Sequence, residues 1–216
     1  MPTKKKRSKT EVTKAVAKKA EAKLKTTPKS KKVQAPLTIT QRKDQYREER
    51  GISRERFDIA GIQEVDKRQA RAMGYRDEAG IVVPYFHPLT SELLETQRIR
   101  YFDPPLVEGK PRRYQQLRGT PVEAYFDPNV EWEPIFKNPK IDLYITEGEM
   151  KAIAANQHGY VTIAIGGVDS FGGETLTPLL QKIKWKGRRV YIVYDSDAAT
   201  KENVLRAERR LAEVLS

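Results

Sequence analysis

Hydrophobic and polar positions along this chain fall into two regimes, with a change near residue 140. Before it, apolar residues come in short charged segments punctuated by glycine. "TQRKDQYREERG" reads as a capped, charged helix ending at Gly51, and "SRERFDIAGI" and "VDKRQARAMGY" as two further short helices, each closed near a glycine. "GIVVPYFHP" and "TQRIRYF" then carry β-branched and aromatic residues around polar turns, which predicts a small antiparallel sheet. Residues 103–140 are rich in proline and have little periodicity, so loops and short strands are expected, with a boundary near Asn138–Lys140. After it the pattern is regular. "IDLYIT", "VTIAIGG" and "RRVYIVY" read as strands, alternating with helices in "EMKAIAANQHG", "ETLTPLLQKIKW" and "KENVLRAERRLAEVLS". Near-continuously apolar strands alternating with helices predict a parallel sheet covered on both faces, an α/β fold.

Composition changes this picture mainly at the N-terminus. Residues 1–36 hold thirteen Lys and Arg against Glu11 and Glu21, a net charge of +11 out of +12 for the whole chain. Such a Lys/Ala/Thr-rich stretch has too little apolar surface to offset the entropy of ordering, so a disordered basic arm is expected. Lysines placed near phosphates release counterions, and Lys4, Lys5, Lys6 and Arg7 are the expected phosphate contacts. "KKKRSK" also fits a nuclear import signal, and a merely solubilising arm stays open as well. The expected organisation is thus an arm at 1–36, a helical and β-hairpin basic subdomain at 37–138, and an α/β domain at 139–216.

With no cysteine in the chain, disulfides, thiol chemistry and Cys-ligated zinc are excluded, and two histidines leave no His-rich site. No apolar stretch approaches the roughly 20 residues that cross a bilayer, and the first thirty residues lack a secretory apolar core. A cytoplasmic, unsecreted protein without a membrane partner is expected.

The candidate chemistry lies where ligands gather in parallel sheets, beyond the carboxyl ends of the strands. Glu147-Gly148 follows the first of these strands, Gly166-Gly167 the second, and Asp195-Ser196-Asp197 the third. If the strands are neighbours, three carboxylates converge, and a hard divalent cation relieves their repulsion. Taken singly, each fragment has a plainer reading: Asp195 or Asp197 as the cap of the last helix, Glu147 as a first-turn acid, the glycines as a turn. Lys151, in the first turn of the helix after Glu147, suits a phosphate contact or an ion pair within that helix. Upstream, Arg98, Arg100, Lys110, Arg112, Arg113 and Arg118 cluster with Tyr101, Phe102 and Tyr114 between them, a pattern that suits stacking on unpaired bases as well as an ordinary solvated hairpin. No G-x-x-x-x-G-K-[ST] loop is present, so "VYIVYD" is not half of a Walker pair, and "GGVDSFGG" lacks dinucleotide-binding spacing.

"LYITEGEMKA", "IAIGGVDSF" and "VYIVYDSDA", in that order, resemble the Toprim domain of bacterial-type primases, topoisomerases and certain nucleases, over roughly residues 141–216. "GIVVPYFHPLTSELLETQRIRYF" and "RRYQQLRG" are more loosely similar to the basic segment preceding the catalytic half of phage and plasmid primase-like replication proteins. The resemblance implies catalytic and metal-binding roles for Glu147, Asp195 and Asp197, with Mg²⁺ or Mn²⁺ as cofactor and no zinc. It implies nucleotide or nucleic-acid contacts at Arg98, Arg100, Lys110, Arg112, Arg113, Lys151, Gly166 and Gly167. Single-stranded or duplex DNA, nucleoside triphosphates and a replicative helicase are the implied partners, in a nucleoid-associated setting. Primase-like nucleotidyl transfer is the leading expectation. A nuclease using the same carboxylates, and a non-catalytic module that recruits a helicase or polymerase, remain open. Proteins of this type commonly carry a zinc module, which a cysteine-free chain cannot supply, and their domain commonly continues into a further strand beyond the third helix.

Overall fold

The computed structural model describes residues 35–195 and 201–215, and Leu37–Ser216 cluster as one compact unit. The basic arm, including Lys4, Lys5, Lys6 and Arg7, and the residue Asp197 lie outside the described residues. The fold is mixed α/β, with one antiparallel sheet, one largely parallel sheet and helices flanking them.

The three short N-terminal helices form in the expected segments, the first starting slightly earlier because its cap is Thr38. They are α1 (Ile39–Glu48), α2 (Arg54–Ile59) and, after strand β1 (Gln63–Val65), α3 (Lys67–Ala72). Side chains of Thr38, Ser53 and Asp66 each accept a hydrogen bond from the backbone N–H three residues on, satisfying one otherwise orphaned donor per helix. At α1 and α3, Gln41 and Gln69 complete reciprocal capping boxes.

Strands β2 (Gly80–Phe86) and β3 (Leu93–Tyr101) form the predicted hairpin, and β6 (Tyr114–Gln116) joins the far edge of β3. The order is β1-β2-β3-β6, antiparallel throughout. Between β3 and β6 lies a two-residue ribbon, β4 (Leu106–Val107) with β5 (Lys110–Pro111).

The second sheet is ordered β10-β8-β9-β7, from β7 (Tyr125–Phe126), β8 (Leu143–Glu147), β9 (Thr162–Ile165) and β10 (Val190–Val193). Strands β8, β9 and β10 are mutually parallel, as their apolar runs predict, whereas β7 is antiparallel. Helix α4 (Trp132–Lys137) falls in the stretch expected to be loop and short strand; Trp132, Ile135 and Phe136 bury its apolar side. With β7 it ties residues preceding the expected boundary at 138 into the C-terminal sheet. Between β8 and β9 runs α5 (Glu149–Gln157), and α7 (Glu202–Leu215) closes the described chain.

Where a full helix was expected over "ETLTPLLQKIKW", only α6 (Pro178–Gln181) forms. Pro178 disfavours helical backbone in the residue before it, and Thr177 is extended with ψ 156°, so Glu174–Thr177 stay outside the helix. Leu176, Leu179, Leu180 and Ile183 are nevertheless buried, because an irregular turn seats them in the core.

One face of the parallel sheet packs Leu143, Ile145, Ile163 and Ile165 against α4, α6 and Leu211 of α7. Its other face meets α5, and there Met150 and Ile153 share a cluster with Ile52, Phe57, Ile81 and Tyr85 of the N-terminal half. That shared core places the antiparallel sheet beside the carboxyl ends of the parallel one. Strand β10 departs from the expectation of double coverage, because Tyr191 and Val193 are exposed on its open face. No helix among the described residues is long and apolar enough to cross a membrane.

Candidate active site

Parallel register decides where the carboxylates fall. Tyr144 to Glu147 of β8 pair with Thr162 to Ile165 of β9, and Leu143 to Thr146 pair with Val190 to Val193 of β10. Glu147 is therefore the last residue of the central strand, and Asp195 sits just past the end of its neighbour. Both line one cleft of about 320 Å³, together with Gly148, Lys151, Gly166, Arg50, Arg98, Arg113 and Tyr114. The last helix begins only at Glu202, so Asp195 is not its cap.

Gly148 makes the turn at this point possible. Its φ is +89°, a backbone conformation that side-chain-bearing residues rarely adopt, and it lets the chain leave β8 and enter α5 in one residue. Glu147 thereby stays at the sheet end while Glu149 begins the helix.

Glu149 is almost completely buried. Its Oε1 accepts hydrogen bonds from the Tyr85 hydroxyl at 2.6 Å and from Arg98 Nη1 at 2.7 Å. Oε2 is buried without a partner among the described residues. Burial opposes the charge on Arg98, and the Glu149 carboxylate outweighs it, holding the guanidinium above its ordinary range. Burial, reinforced by the same carboxylate, pushes the Tyr85 hydroxyl well up. Arg98 also lies over the Tyr114 ring, 5.2 Å from its centroid. Gly166 leaves room for this guanidinium, since a Cβ there would meet Arg98 Nη1 at 3.1 Å.

A basic and aromatic wall continues from the cleft along α1 and β3. The guanidinium of Arg50 stacks 3.5 Å from the Tyr46 ring centroid and that of Arg100 4.1 Å, and the Tyr46 and Tyr114 hydroxyls are 3.2 Å apart. Burial pushes the Tyr46 hydroxyl up, so it stays protonated and able to donate.

Of the residues singled out in the sequence, Glu147, Asp195, Lys151, Gly166, Arg98 and Arg113 come together at the cleft. Gly167 adjoins it, its carbonyl accepting from the Ser170 N–H. Arg100 stands on the Tyr46 wall, Lys110 on the small ribbon, and Arg112 lines a separate cleft. Lys151 pairs not within its helix but with Asp195, its Nζ 2.5 Å from Oδ1. Arg50 and Glu149 were not anticipated as site residues. Arg50 is distant in sequence from every other lining residue, and Glu149 reads locally as a first-turn acid.

The donor set suits a hard cation. Glu147 and Asp195 offer carboxylate oxygens on an open cleft, and Mg²⁺ is held by one or two carboxylates plus water and phosphate oxygens. Among the described residues no three His, Asp or Glu converge closely enough to enclose a metal.

A family model described as a domain of unknown function (DUF3854) matches residues 131–216. The fold is similar to that of the Aquifex aeolicus primase, in a structure of its zinc-binding and RNA polymerase domains. The TM-score is 0.53 with 14% identity, over 94% of this chain and 58% of that one. The chain thus spans less than two thirds of that structure. The E. coli primase catalytic core aligns with a TM-score of 0.43 at 13% identity, over 82% of this chain and 74% of its own. No curated protein sequence matches the chain.

Proposed function

We propose that this chain carries out Mg²⁺-dependent nucleotidyl transfer on nucleic acid, as a Toprim-type, primase-like enzyme of phage or plasmid replication. The observation that carries the reading is the shared cleft. Glu147 and Asp195 arrive from two different strand ends and face Arg50, Arg113 and Lys151 across it. Likeness to a primase fold supports it, as does the sequence order of the three motifs.

In this reading each side chain has a task. Arg113 and Arg50 receive the phosphates of an incoming nucleoside triphosphate, and Tyr114 offers a ring to an unpaired base. The Glu147 carboxylate accepts the proton of the attacking hydroxyl. Asp195, with Asp197 beyond the described residues, holds the Mg²⁺ or Mn²⁺. When bound, that ion supplies neutralisation of triphosphate charge and alignment of the in-line attack. Lys151 exchanges Asp195 for a phosphate oxygen when the nucleotide enters. Arg98 acts from behind, neutralised by Glu149, so it fixes the position of Tyr114 and Gly166 more than it attracts phosphate. DNA and nucleoside triphosphates are the proposed partners, together with a replicative helicase. The Lys-rich arm, through Lys4, Lys5, Lys6 and Arg7, adds sequence-independent phosphate contacts.

The ion pair between Lys151 and Asp195 favours one rival, a nucleic-acid-binding module whose carboxylate is neutralised by its own lysine. Incubation with single-stranded template, ribonucleotides and Mg²⁺ separates the two. New oligonucleotides should form, and production should fall at least about 100-fold in Glu147→Gln and in Asp195→Asn, with template affinity unchanged within about twofold. Shortened template in place of new strands would indicate a nuclease. Binding without any product would overturn the catalytic assignment.

A further inference from the structure

A second cleft, of about 500 Å³, lies at the outer edge of the antiparallel sheet, and its walls include Tyr75, Arg76, Arg112, Gln115, Leu117 and Arg118. It is separate from the candidate active site and shares none of its lining residues. Arg98 and Arg100 of β3 pair with Gln116 and Tyr114 of β6, whereas Gln115 pairs with Ile99. Because strand side chains alternate between faces, Tyr114 and Gln116 point with Arg98 and Arg100 and Gln115 points the opposite way. The cleft, lined by both glutamines, therefore wraps the sheet edge and opens onto the second face through Gln115. Tyr75 belongs to the core on that opposite side, with Ile99 and Tyr101.

The polar groups presented by this cleft are almost all donors. No carboxylate lines it, and none of its three guanidinium groups makes an ion pair among the described residues. Gln115 spends its carbonyl on the Tyr101 hydroxyl, which donates to it at 2.6 Å, so its amide NH₂ is the end left for another acceptor. Tyr75, only 5% exposed, has a hydroxyl without a partner among the described residues. Burial raises the Tyr101 hydroxyl, while the hydrogen bond it accepts from the Arg76 backbone N–H at 3.0 Å and the charges of Arg76 and Arg112 pull against it. Guanidinium groups without an ion pair among the described residues, a glutamine amide with its NH₂ left for an acceptor and an unsatisfied buried hydroxyl around one hollow describe a receptor for a phosphate group.

We propose that this cleft is a second phosphate-binding site, which holds the sugar-phosphate backbone of a nucleic-acid strand on the face of the sheet opposite the candidate active site. Strand β6 is the edge of its sheet, and two consecutive arginines sit just before it. Arg113 lines the first cleft and Arg112 the second. A free anion would occupy one hollow, whereas a continuous polyanion crossing the sheet edge engages both, so the strand is the occupant that uses the whole arrangement. The site concerns binding alone and stands whether or not the first cleft is catalytic.

The test compares full-length protein with the triple variant Arg76→Gln/Arg112→Gln/Arg118→Gln and a charge-matched control, Arg68→Gln/Lys182→Gln/Lys186→Gln. Binding of a labelled single-stranded oligonucleotide of about 20 nucleotides is measured by anisotropy from low to moderate salt. The cleft variant should lose about fivefold or more in affinity, and its slope of log K against log salt should shrink by about 2, some 0.7 per phosphate released, beyond any change in the control. Equal affinity and slope for the two variants would overturn the proposal. Phenylglyoxal modification mapped by mass spectrometry gives a local readout that does not depend on variants. The oligonucleotide should protect Arg76, Arg112 and Arg118. If inorganic phosphate protects them and the oligonucleotide does not, the site serves a free anion and the strand assignment falls. Loss of activity in Glu147→Gln with this protection intact would separate the two clefts.

Discussion

The two sheets supply opposite halves of the candidate site by different means. The antiparallel sheet has core on both faces along β2, with Ile81, Val83 and Tyr85 packed toward α5 and Val82 packed with Ile99 and Tyr101, but β3 alternates along its length. Ile99 and Tyr101 are fully buried while Arg98 and Arg100 project from the other side. It can therefore offer cations and rings from the middle of a strand. The parallel sheet is covered on both faces along β9, where every residue is buried, and nearly so along β8. A carboxylate in such a strand would be desolvated without a partner, so acidic groups emerge only where the strands end, at Glu147 and Asp195. Cations from a sheet face and anions from a sheet edge meet in one cleft, and neither sheet could build that combination alone.

The join between the sheets is where that comparison breaks most easily. Arg98 belongs to one sheet and Glu149 to the helix over the other, and their ion pair is buried. Removing one partner leaves an uncompensated buried charge, so Glu149→Ala should cost about 3–5 kcal/mol, read as a fall in the denaturant midpoint. Replacing both partners with apolar side chains of similar size, Arg98→Met/Glu149→Leu, should recover most of that loss. If the single variant costs less than about 1 kcal/mol, the pair does not couple the two halves. A smaller effect is expected at Lys151, whose pair with Asp195 is partly exposed. Lys151→Ala should tighten Mg²⁺ binding by about two- to fivefold in calorimetry, because Asp195 loses a competing cation worth about 0.2–1 kcal/mol. Weaker Mg²⁺ binding in that variant would mean that the lysine organises the site instead.

The smallest effect is expected at the exposed end of the basic wall. Arg42 donates two hydrogen bonds to Asp103, at 2.7 and 2.9 Å, and these bonds, with the attraction between the charges, hold the Asp103 carboxyl below its usual range. An acid whose folded pKa is depressed contributes stability above its unfolded value, near 4, and loses it as pH falls through the folded value. Arg42→Gln should therefore be less stable than the parent by under about 1 kcal/mol at neutral pH, with the difference vanishing in acid. A difference that persists unchanged to low pH would assign the effect to packing of Arg42 over Phe102, 4.7 Å from the ring centroid.

Much of this architecture is legible in the chain because it is written locally. Charged segments closing near glycines announce three helices, and the caps found in the structure, Thr38, Ser53 and Asp66, act through neighbouring residues alone. The apolar runs of β8, β9 and β10 announce a parallel sheet, and Glu147, Gly166 and Asp195 announce a candidate site by standing where those runs stop. Local signals misled at Pro178, where a helical apolar period survives but proline confines the helix to four residues. They were coarse around Tyr125–Phe126, in a stretch expected to hold loops and short strands, where the two-residue strand is placed only by its pairing with β9.

What only the tertiary structure decided is which distant groups meet. Arg50 joins the cleft from the end of the first helix, Glu149 reaches across to Arg98, and Lys151 takes Asp195 rather than a neighbour on its own helix. Secondary structure is set by bonds among residues close along the chain, so the sequence carries it openly. The partners of a charge are set by how sheets and helices stack, and that depends on the whole core at once.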